Sequence, residues 1–491
     1  MWGTLIALQK DNITSVGETK TTEYNYSAGP IVHVLAMVAK CCPDILTAAK
    51  IRLVVHLAFS GVAVLKRDYA LMKAAAQCLQ ATQGYLQTPQ QKQQEEVETK
   101  TNASSEAREI RSALLEAAPG IRDVILGFWC GNEEAETRQW FEVCEEALHA
   151  LFHVHPSPDK VFASIIVPLY ADLASNSAAS ASSEEKKVTT DPSRLSRVLF
   201  TIGQGAICSL VFTERIANLA KKYAELNKIA SANHDSSGKH LSAEKEREGE
   251  VDAMEEEMGM VAAADAEHER IFTIVTERQL VCDNLFGKFH PLVAYVVANE
   301  SNTFSHGLLR ETSLLALCRL MSVSSVLCEL YLPLLFTIVE RETSEHVRTT
   351  VMIALGDLAF RFPNSLEPWT ARMYARLSDS DVLVRYNTLM TLTHLILNDM
   401  IKVKGQVSHV VMCLNDSNQK VRDLAGLFFT ELSKRSNNPV YNLLGDIIGS
   451  LSLHRYSISH IPNARNSLLI HTNACTGLTV HLTVSLHATG S

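Results

Sequence analysis

The sequence predicts an all-α fold in which antiparallel helix pairs stack into a solenoid, interrupted by disordered inserts. Two observations support this fold class. Apolar residues recur with helical periodicity through most of the 491 residues, and no convincing β-alternation appears before the extreme C-terminus. In addition, a 37-residue unit repeats in the C-terminal half of the chain.

The repeat is defined by charged and apolar residues that return in the same phase. A Val-Arg pair recurs every 37 residues, with the arginines at Arg348, Arg385 and Arg422. An acid stands six residues before each arginine, and the acids are Glu342, Asp379 and Asp416. Apolar residues follow each valine at eight and eleven positions: Leu355, Leu358, Leu392, Leu395, Phe429 and Leu432.

This phase predicts a helix, a tight turn that holds the acid, and a second helix whose apolar face turns inward. One such hairpin cannot bury its own face, so neighbouring units stack, and acid and arginine can form a hydrogen-bonded ladder between them. That is the HEAT-repeat pattern. A weaker copy at Leu309-Arg310 has Phe304 at the acid position, where the ladder is expected to end. We expect the six charged residues to be internal struts rather than ligand contacts.

Composition divides the chain into eight predicted regions. Helical repeats are predicted at 1–87 and 107–174, a helix pair at 194–230, and a HEAT domain at 259–452. Polar stretches separate them: linkers at 88–106 and 175–193, and an acidic disordered insert at 231–258. The helix pair is expected to break near Gly203 or Thr213. Residues 453–491 contain no acid and no lysine and are predicted to be a disordered tail outside the repeats.

Composition and charge also indicate the cellular compartment and the kinds of partner. The formal net charge of −9 does not exclude a local basic patch that binds nucleic acid. Eleven cysteines scattered through apolar helical segments fit reduced thiols better than a disulfide framework, which favours cytosol or nucleus. The start of the sequence has neither a basic leader nor a long apolar stretch, and no membrane helix is predicted because the apolar run 53–65 is too short.

The sequence lacks the short signatures of P-loop NTPases, zinc peptidases, serine hydrolases and zinc ribbons, so we expect no enzyme, no cofactor and no small-molecule substrate. Glu145, His149 and His153 share a helical spacing, with His155 nearby, and are the best metal candidates. Spacing alone is weak evidence for a metal site, and the preferred interpretation is a helix end, where the negative dipole favours histidine. The adjacent cysteines Cys41 and Cys42 are expected to be core residues.

Basic residues near the end of the repeats are predicted to line one edge of the stack. The candidate DNA-contacting residues are Lys402, Lys404, Lys420, Lys434 and Arg435. Phosphate contacts from such an edge would be independent of base sequence and sensitive to salt. The repeats also contain about as many acids as bases, so a mixed, solvated surface remains the alternative.

Three runs within the repeats resemble the HEAT-repeat regulatory subunit 1 of condensin: GDLAFRFPNSLEPWTARMYARL at 356–377, TLTHLILNDMIKVKGQVS at 391–408 and FFTELSKRSNNPVYNLLGDIIGSL at 428–451. The resemblance covers about residues 195–452, and the run IKVKGQ is more similar to condensin I than to condensin II. Since the family's chains are much longer, the sequence looks like a partial subunit.

The resemblance implies a non-catalytic subunit that docks on the kleisin and on the SMC ATPase subunits. It also implies contact with DNA or chromatin, with histones as a further candidate, and a role in mitotic chromosome condensation. The expected locations are nucleus and chromosomes, with cytoplasm in interphase, and no membrane. A HEAT-repeat nuclear transport carrier and a phosphatase-type regulatory scaffold remain the alternatives, because they share the same fold physics.

Overall fold

A computed structural model describes residues 28–59, 64, 66–82, 102–128, 130–131, 133–180, 191–235, 266–267, 269–282, 285–300, 302–401 and 406–434. Every regular element in these ranges is helical, which confirms the predicted all-α class. The chain forms two compact units, Met1–Val323 and Ser324–Ser491. Most of the predicted inserts and the whole predicted tail, 453–491, lie outside the described residues.

The first unit consists of long helices that pack in pairs. They are α1 (Ala28–Cys41), α2 (Ala48–Phe59), α3 (Tyr69–Gln80), α4 (Asn102–Leu126), α5 (Glu134–Val154), α6 (Pro158–Ser180), α7 (Pro192–Asp235), α8 (Leu285–Ala298) and α9 (Gly307–Met321), with a π-helical segment at Val275–Cys282. Helix α3 packs between α1 and α5, α4 packs on α2 and α5, and α7 packs on α5 and α9. The predicted linkers are shorter than expected, since α4 already begins at Asn102 and α6 extends to Ser180.

Trp140 and Gly127 fix the turn between α4 and α5. The Trp140 side chain is fully buried, and its Nε1 donates to the Val124 carbonyl at 3.3 Å. Gly127 ends α4 with φ of +62°, and a Cβ there would lie 2.5 Å from Trp140 Nε1. Both the backbone conformation and the indole contact therefore require glycine at this position.

Helix α7 corrects one prediction. The predicted helix pair at 194–230 is a single continuous helix, and its glycines serve close packing rather than a break. A Cβ at Gly203 would lie 2.7 Å from the Ala316 Cα on α9, and one at Gly205 would lie 2.2 Å from the Phe162 ring on α6. A glycine inside a helix costs only about 1 kcal/mol relative to alanine, and the close approach of two neighbours offsets this.

Helix α7 is also unusually apolar. Its part from Pro192 to Ala224 is long and apolar enough to cross a membrane by length and composition. However, 83% of its apolar window is buried inside the chain, where α5, α6 and α9 pack against it. Its apolar surface is thus covered by the protein's own helices.

The second unit contains the periodic repeats. Its helices are α10 (Ser325–Arg341), α11 (Glu345–Arg361), α12 (Pro363–Leu366), α13 (Thr370–Ala375), α14 (Val382–Leu397), α15 (Val407–Cys413) and α16 (Gln419–Ser433). The Val-Arg pairs lie in the first turns of α11, α14 and α16, and these three helices pack side by side, with α14 in the middle. The apolar positions eight and eleven residues after each valine are all buried, so the period identified the inward face correctly.

The first helix of the middle repeat departs from the expected hairpin. Residues 363–378 form four short pieces instead of one helix. Helix α12 is followed by the 3-10 segment Glu367–Trp369, and α13 is followed by the 3-10 segment Arg376–Ser378. Pro363 and Pro368 each stand in the first turn of a short piece, where their missing N–H groups do no harm. Proline fits well at the start of a helix, and the two prolines mark where these short pieces begin, whereas Pro333 lies inside the unbroken α10.

Candidate interaction surface

Three arginines of the second unit hold the turns before their own helices in the same way. Each Nη1 donates to the backbone carbonyls six and five residues earlier. The distances are 3.0 and 2.9 Å for Arg348, 2.9 and 3.1 Å for Arg385, and 2.5 and 3.0 Å for Arg422. The planar guanidinium can bind two carbonyls and still present its remaining donors to a neighbour.

Two of these arginines also bind the aspartate of the next repeat. Arg348 Nη2 donates to Asp379 Oδ1 at 3.0 Å. Arg385 makes a bidentate contact with Asp416, at 2.7 Å from Nε and 2.9 Å from Nη2. All four side chains are largely buried, so these charge-assisted bonds are shielded from water and join consecutive repeats.

The aspartates have a second task that the spacing did not indicate. Asp379 Oδ1 accepts the backbone N–H of Asp381 at 3.0 Å, and Asp416 Oδ1 accepts that of Asn418 at 2.8 Å. Asp381 and Asn418 in turn cap α14 and α16 by accepting helix N–H groups. One carboxylate therefore binds the preceding repeat and organises the start of its own helix.

Glu342 and Arg422, the first and last of the six charged residues, make contacts that differ from the arginine–aspartate bonds between repeats. The Glu342 carboxylate accepts the backbone N–H of Thr343 at 3.1 Å. At the other end, Arg422 Nη2 donates to Gln419 Oε1 on its own helix. One period beyond Asp416 the sequence has Leu453, so the spacing supplies no acid for Arg422. Within residues 302–401 and 406–434 the structure therefore contains two rungs that cross between repeats.

The Arg385–Asp416 rung shifts the pKa values of both partners. Burial alone would raise the pKa of Asp416, but hydrogen bonds from Arg385 and from the Asn418 backbone outweigh it, and the pKa lies below its ordinary value of 3.8. The hydrogen bond to Asp416 raises the pKa of Arg385 despite burial. Both groups are thus held in their charged forms.

The side of α11, α14 and α16 that turns away from the core carries exposed apolar residues in register. Ile353, Met390 and Leu427 are separated by one 37-residue period each and are 47%, 42% and 53% exposed. We call these three residues the apolar row. Phe360 lies two helical turns after Ile353 on the same side of α11 and is 54% exposed. The centre of its ring lies 6.3 Å from that of the His394 ring. Single exposed apolar residues are ordinary, and these three are distinguished by their equivalent positions in successive repeats.

One helical turn from the apolar row stands a second set of equivalent positions, Asp357, His394 and Glu431, which we call the acid row. Burial raises the pKa of Asp357 above its ordinary value, against a small opposing effect of His394. Glu431 pairs with Lys434 at 2.7 Å. Asp357 is exposed, and its carboxylate forms no ion pair within residues 302–401 and 406–434.

The predicted basic edge is only partly described. Lys402, Lys404 and Arg435 lie outside the described residues. Lys420 and Lys434 are exposed but stand at the start and just past the end of α16, about 21 Å apart along the helix. The structure does not bring these two lysines together, and Lys434 is engaged with Glu431.

The residues singled out as metal candidates have other partners. His149 accepts from Gln204 at 2.9 Å, His153 Nε2 bonds the Thr82 carbonyl at 2.8 Å, and His155 Nδ1 accepts the Ser157 N–H at 3.0 Å. Glu145 lies 3.9 Å from Arg319. Burial also lowers the pKa of His153, which favours the neutral ring. Across the described part of the chain no three His, Cys, Asp or Glu residues are grouped to hold a metal.

The prediction that Cys41 and Cys42 are core residues was wrong. Cys41 and Cys42 are exposed at the end of α1 rather than buried in the core, because the apolar face of α1 is formed by residues such as Val32 and Leu35. Seven other cysteines are buried: Cys78, Cys130, Cys144, Cys208, Cys318, Cys328 and Cys413. Burial raises the pKa of the Cys78 thiol to about 12, as expected for an unreactive core thiol.

Arg197 was missed by sequence reasoning. It is buried on α7, donates Nη1 to the Gly127 carbonyl at 3.2 Å and Nη2 to the Gly131 carbonyl, and its guanidinium lies 5.9 Å from the Trp140 ring centre. It therefore ties the α4–α5 turn to α7. Asp191 stands six residues before Arg197, the same spacing as in the acid–arginine pairs of the repeat, so this spacing was the signal in the sequence that could have indicated Arg197.

Comparison with known proteins finds similarity to one family of condensin subunits. A model of the non-SMC mitotic condensation complex subunit 1 matches residues 346–469. The Condensin-1 complex subunit CAP-D2 of Arabidopsis thaliana is 36% identical over 325 residues, which cover 64% of this chain and 23% of that protein. The chain is similar to condensin complex subunit 1.

Two further relatives refine the similarity. Condensin complex subunit 1 of Mus musculus is 43% identical over 202 residues, 40% of this chain and 14% of that protein. The Condensin-2 complex subunit CAP-D3 of Arabidopsis thaliana is 26% identical over 128 residues, 26% of this chain and 10% of that protein. The likeness to condensin I subunits is therefore both longer and stronger than that to this condensin II subunit, as the run IKVKGQ indicated.

The comparisons also set the extent of the similarity to condensin subunit 1. The chain spans less than a quarter of the length of the relatives described above. The family match ends at residue 469, beyond residue 452, where the sequence analysis had ended the resemblance. Both rungs, the apolar row and the acid row lie inside the matched residues.

Proposed function

We propose that this chain is a non-catalytic scaffold subunit of a condensin complex, which binds the kleisin and SMC subunits and chromosomal DNA and supports mitotic chromosome condensation. The observation that carries the proposal is the 36% identity to a condensin I subunit over 64% of the chain. Under this proposal ATP hydrolysis belongs to the partners, and the chain resides in the nucleus and on chromosomes.

The described geometry supports a scaffold. Buried rungs between repeats and helix caps account for the charged residues of the repeat, so they serve to hold a rigid stack. What the stack offers to a partner is its exposed side, where the apolar row and acid row lie. Large surfaces built from stacked helices are used for binding extended partners.

Co-expression with candidate partners tests the proposal. The tagged full chain should retain the kleisin and SMC subunits of condensin I through affinity purification in the presence of nuclease. Recovery of a nuclear transport factor or a phosphatase catalytic subunit in their place would support one of the alternative scaffolds and contradict the proposal.

DNA contact by the basic edge requires a separate test. Changing Lys402 and Lys404 to Glu should weaken binding of a 30-bp duplex and reduce the slope of affinity against salt by about one unit per lost phosphate contact. Lys66→Glu, an exposed lysine of the first unit, is the matched control. Unchanged affinity and slope for the double variant would remove these two lysines from the DNA surface.

A further inference from the structure

We propose that Met37, Cys41 and Cys42, at the end of α1, supply three sulfur ligands to a soft monovalent metal ion, Cu(I). We call these three residues the sulfur site. The proposal goes beyond the proposed function, because it concerns a metal ion and no residue of the repeats in the second unit. It rests on the chemistry of side chains that are exposed together at one place.

Helix geometry brings the three sulfur side chains together. Met37 and Cys41 are one helical turn apart in α1, so they lie on the same face, with their Cβ atoms about 5–6 Å apart. Cys42 follows directly, with its Cα about 3.8 Å from that of Cys41. The unbranched methionine side chain is flexible and can reach a metal ion that is held between the two thiolates.

The backbone of Cys42 is held by hydrogen bonds on both sides. Its N–H donates to the Val38 carbonyl at 2.9 Å, and its carbonyl accepts the Ile45 N–H at 3.2 Å. Cys42 has left the helical conformation, with φ of −135° and ψ of 79°. The two thiols are therefore carried by consecutive residues of a hydrogen-bonded turn at which α1 ends.

All three residues of the sulfur site are open to solvent. Met37 is 58% exposed, and Cys41 and Cys42 are exposed as well, whereas the seven other cysteines described above are buried. The buried face of α1 is formed by other residues, such as Val32 and Leu35. A metal ion can thus reach the sulfur atoms without any unfolding of α1.

The types of ligand favour Cu(I) over Zn(II). Thiolate and thioether sulfur atoms are soft ligands, which select Cu(I). Structural Zn(II) instead takes a tetrahedral set of four thiolate, imidazole or carboxylate ligands. In the part of the chain that the structure describes, no His, Asp or Glu residue joins Cys41 and Cys42 in a group that could hold a metal. The third ligand that the fold offers is a methionine.

A disulfide between Cys41 and Cys42 fits this turn less well than a metal ion. Disulfide-bonded cysteines usually have their Cα atoms about 4.4–6.8 Å apart, and a shorter separation strains the bond. A metal ion between the two sulfur atoms lengthens the bridge and relieves this strain. Binding forms two thiolate bonds and one thioether bond to Cu(I) and releases the two thiol protons, with no change of oxidation state.

Competition with a chelator tests the proposal on the full chain. The reduced protein is titrated, in the absence of oxygen, into the coloured complex of Cu(I) with bicinchoninate, which loses its colour as Cu(I) moves to the protein. We expect the sulfur site to remove about one equivalent of Cu(I) from the chelator. An excess of Zn(II) should not displace it.

Variants of α1 show which side chains bind the ion. Changing both Cys41 and Cys42 to Ser should abolish this equivalent. Met37→Leu, which keeps the size of the side chain and removes its sulfur, should weaken binding about fivefold. His33→Gln should leave the affinity unchanged, because His33 stands about 12 Å along the helix from Cys41.

The matched control removes the same number of thiols elsewhere. Cys282→Ser with Cys475→Ser changes the other two of the eleven cysteines and should retain the equivalent of Cu(I). Circular dichroism and thermal melting establish that all variants remain folded. No transfer of Cu(I) from the chelator, an equal loss in the control, or full affinity in Met37→Leu would overturn the proposal. None of these results would alter recovery of the condensin subunits, which tests the proposed function separately.

Discussion

The two units of the chain reach the same all-α architecture by different means. In the second unit, residues at a fixed period make equivalent contacts. Arg348 and Arg385 bind their turns in the same way, and both bind the next aspartate, Arg348 through Nη2 and Arg385 through Nε and Nη2. In the first unit, packing depends on individual contacts, such as Gly203 against Ala316 and Trp140 against Gly127. Periodic contacts can be found in a sequence by alignment with itself, whereas individual contacts cannot.

The largest effect is expected at an individual contact of the first unit. Gly203→Val would place side-chain atoms into the Ala316 backbone, where even a Cβ would lie 2.7 Å from the Cα. Overpacking of this kind costs about 3 kcal/mol or more when backbone must move. Chemical denaturation of the full chain should show this loss of unfolding free energy in the transition of the first unit.

The matched control for Gly203→Val is Gly307→Val, where a Cβ has open space. This variant should change the unfolding free energy by less than about 1 kcal/mol. Valine has a better helix propensity than glycine, so equal destabilisation by both variants would show that the close α7–α9 approach is not what requires Gly203. The contrast between the units would then weaken.

The next effect concerns a periodic contact. Arg385→Met leaves the Asp416 carboxylate buried without its cation and should lower the unfolding free energy by about 3 kcal/mol. Arg385→Lys keeps the charge but loses the bidentate fork, and should recover only part of the loss. Lys434→Met, which breaks the exposed pair with Glu431, should cost less than about 0.5 kcal/mol. A near-neutral Arg385→Met would show that the rungs contribute little to the stack.

The acids of the second unit should differ in how they couple stability to pH. The folded pKa of Asp416 lies below the ordinary value of 3.8, so its contribution is complete above that pH and is lost as pH falls through the folded pKa. Unfolding by urea between pH 6 and pH 2 should therefore show a steeper acid loss for the natural chain than for Asp416→Asn. Parallel curves would contradict the assigned role of the rung.

Asp357 should show the opposite sign and a smaller size. Burial raises its folded pKa above 3.8, so its charge costs stability near neutral pH and this cost disappears as pH falls through the folded pKa. Asp357→Asn should therefore stabilise the chain near pH 7, by less than about 1 kcal/mol because the side chain is exposed to solvent. Destabilisation by this variant would instead indicate that Asp357 is part of the structural framework.

The units also differ in how much could be predicted from sequence. The 37-residue period located α11, α14 and α16, their inward faces and the acid and arginine positions, because all of these depend on residues that repeat. It did not indicate that proline would break the first helix of the middle repeat, nor that each aspartate would organise a helix start. Those features depend on single residues, Pro363, Pro368, Asp381 and Asn418.

In the first unit, helical periodicity located the helices, but α7 was divided at glycines that serve packing against partners distant in sequence. The apolar row went unnoticed for a related reason. Helical periodicity predicts which residues are buried, yet Ile353, Met390 and Leu427 are conspicuous only once their exposure is known. The basic residues were easier to notice in the sequence, and the two that are described do not come together.

Native mass spectrometry of the chain co-expressed with a condensin kleisin and both SMC subunits tests the central claim most directly. The account predicts an assembly that contains one copy of this chain, of the kleisin and of each SMC subunit. A chain that remains alone while the kleisin and SMC subunits assemble without it would contradict the assignment as a condensin scaffold subunit.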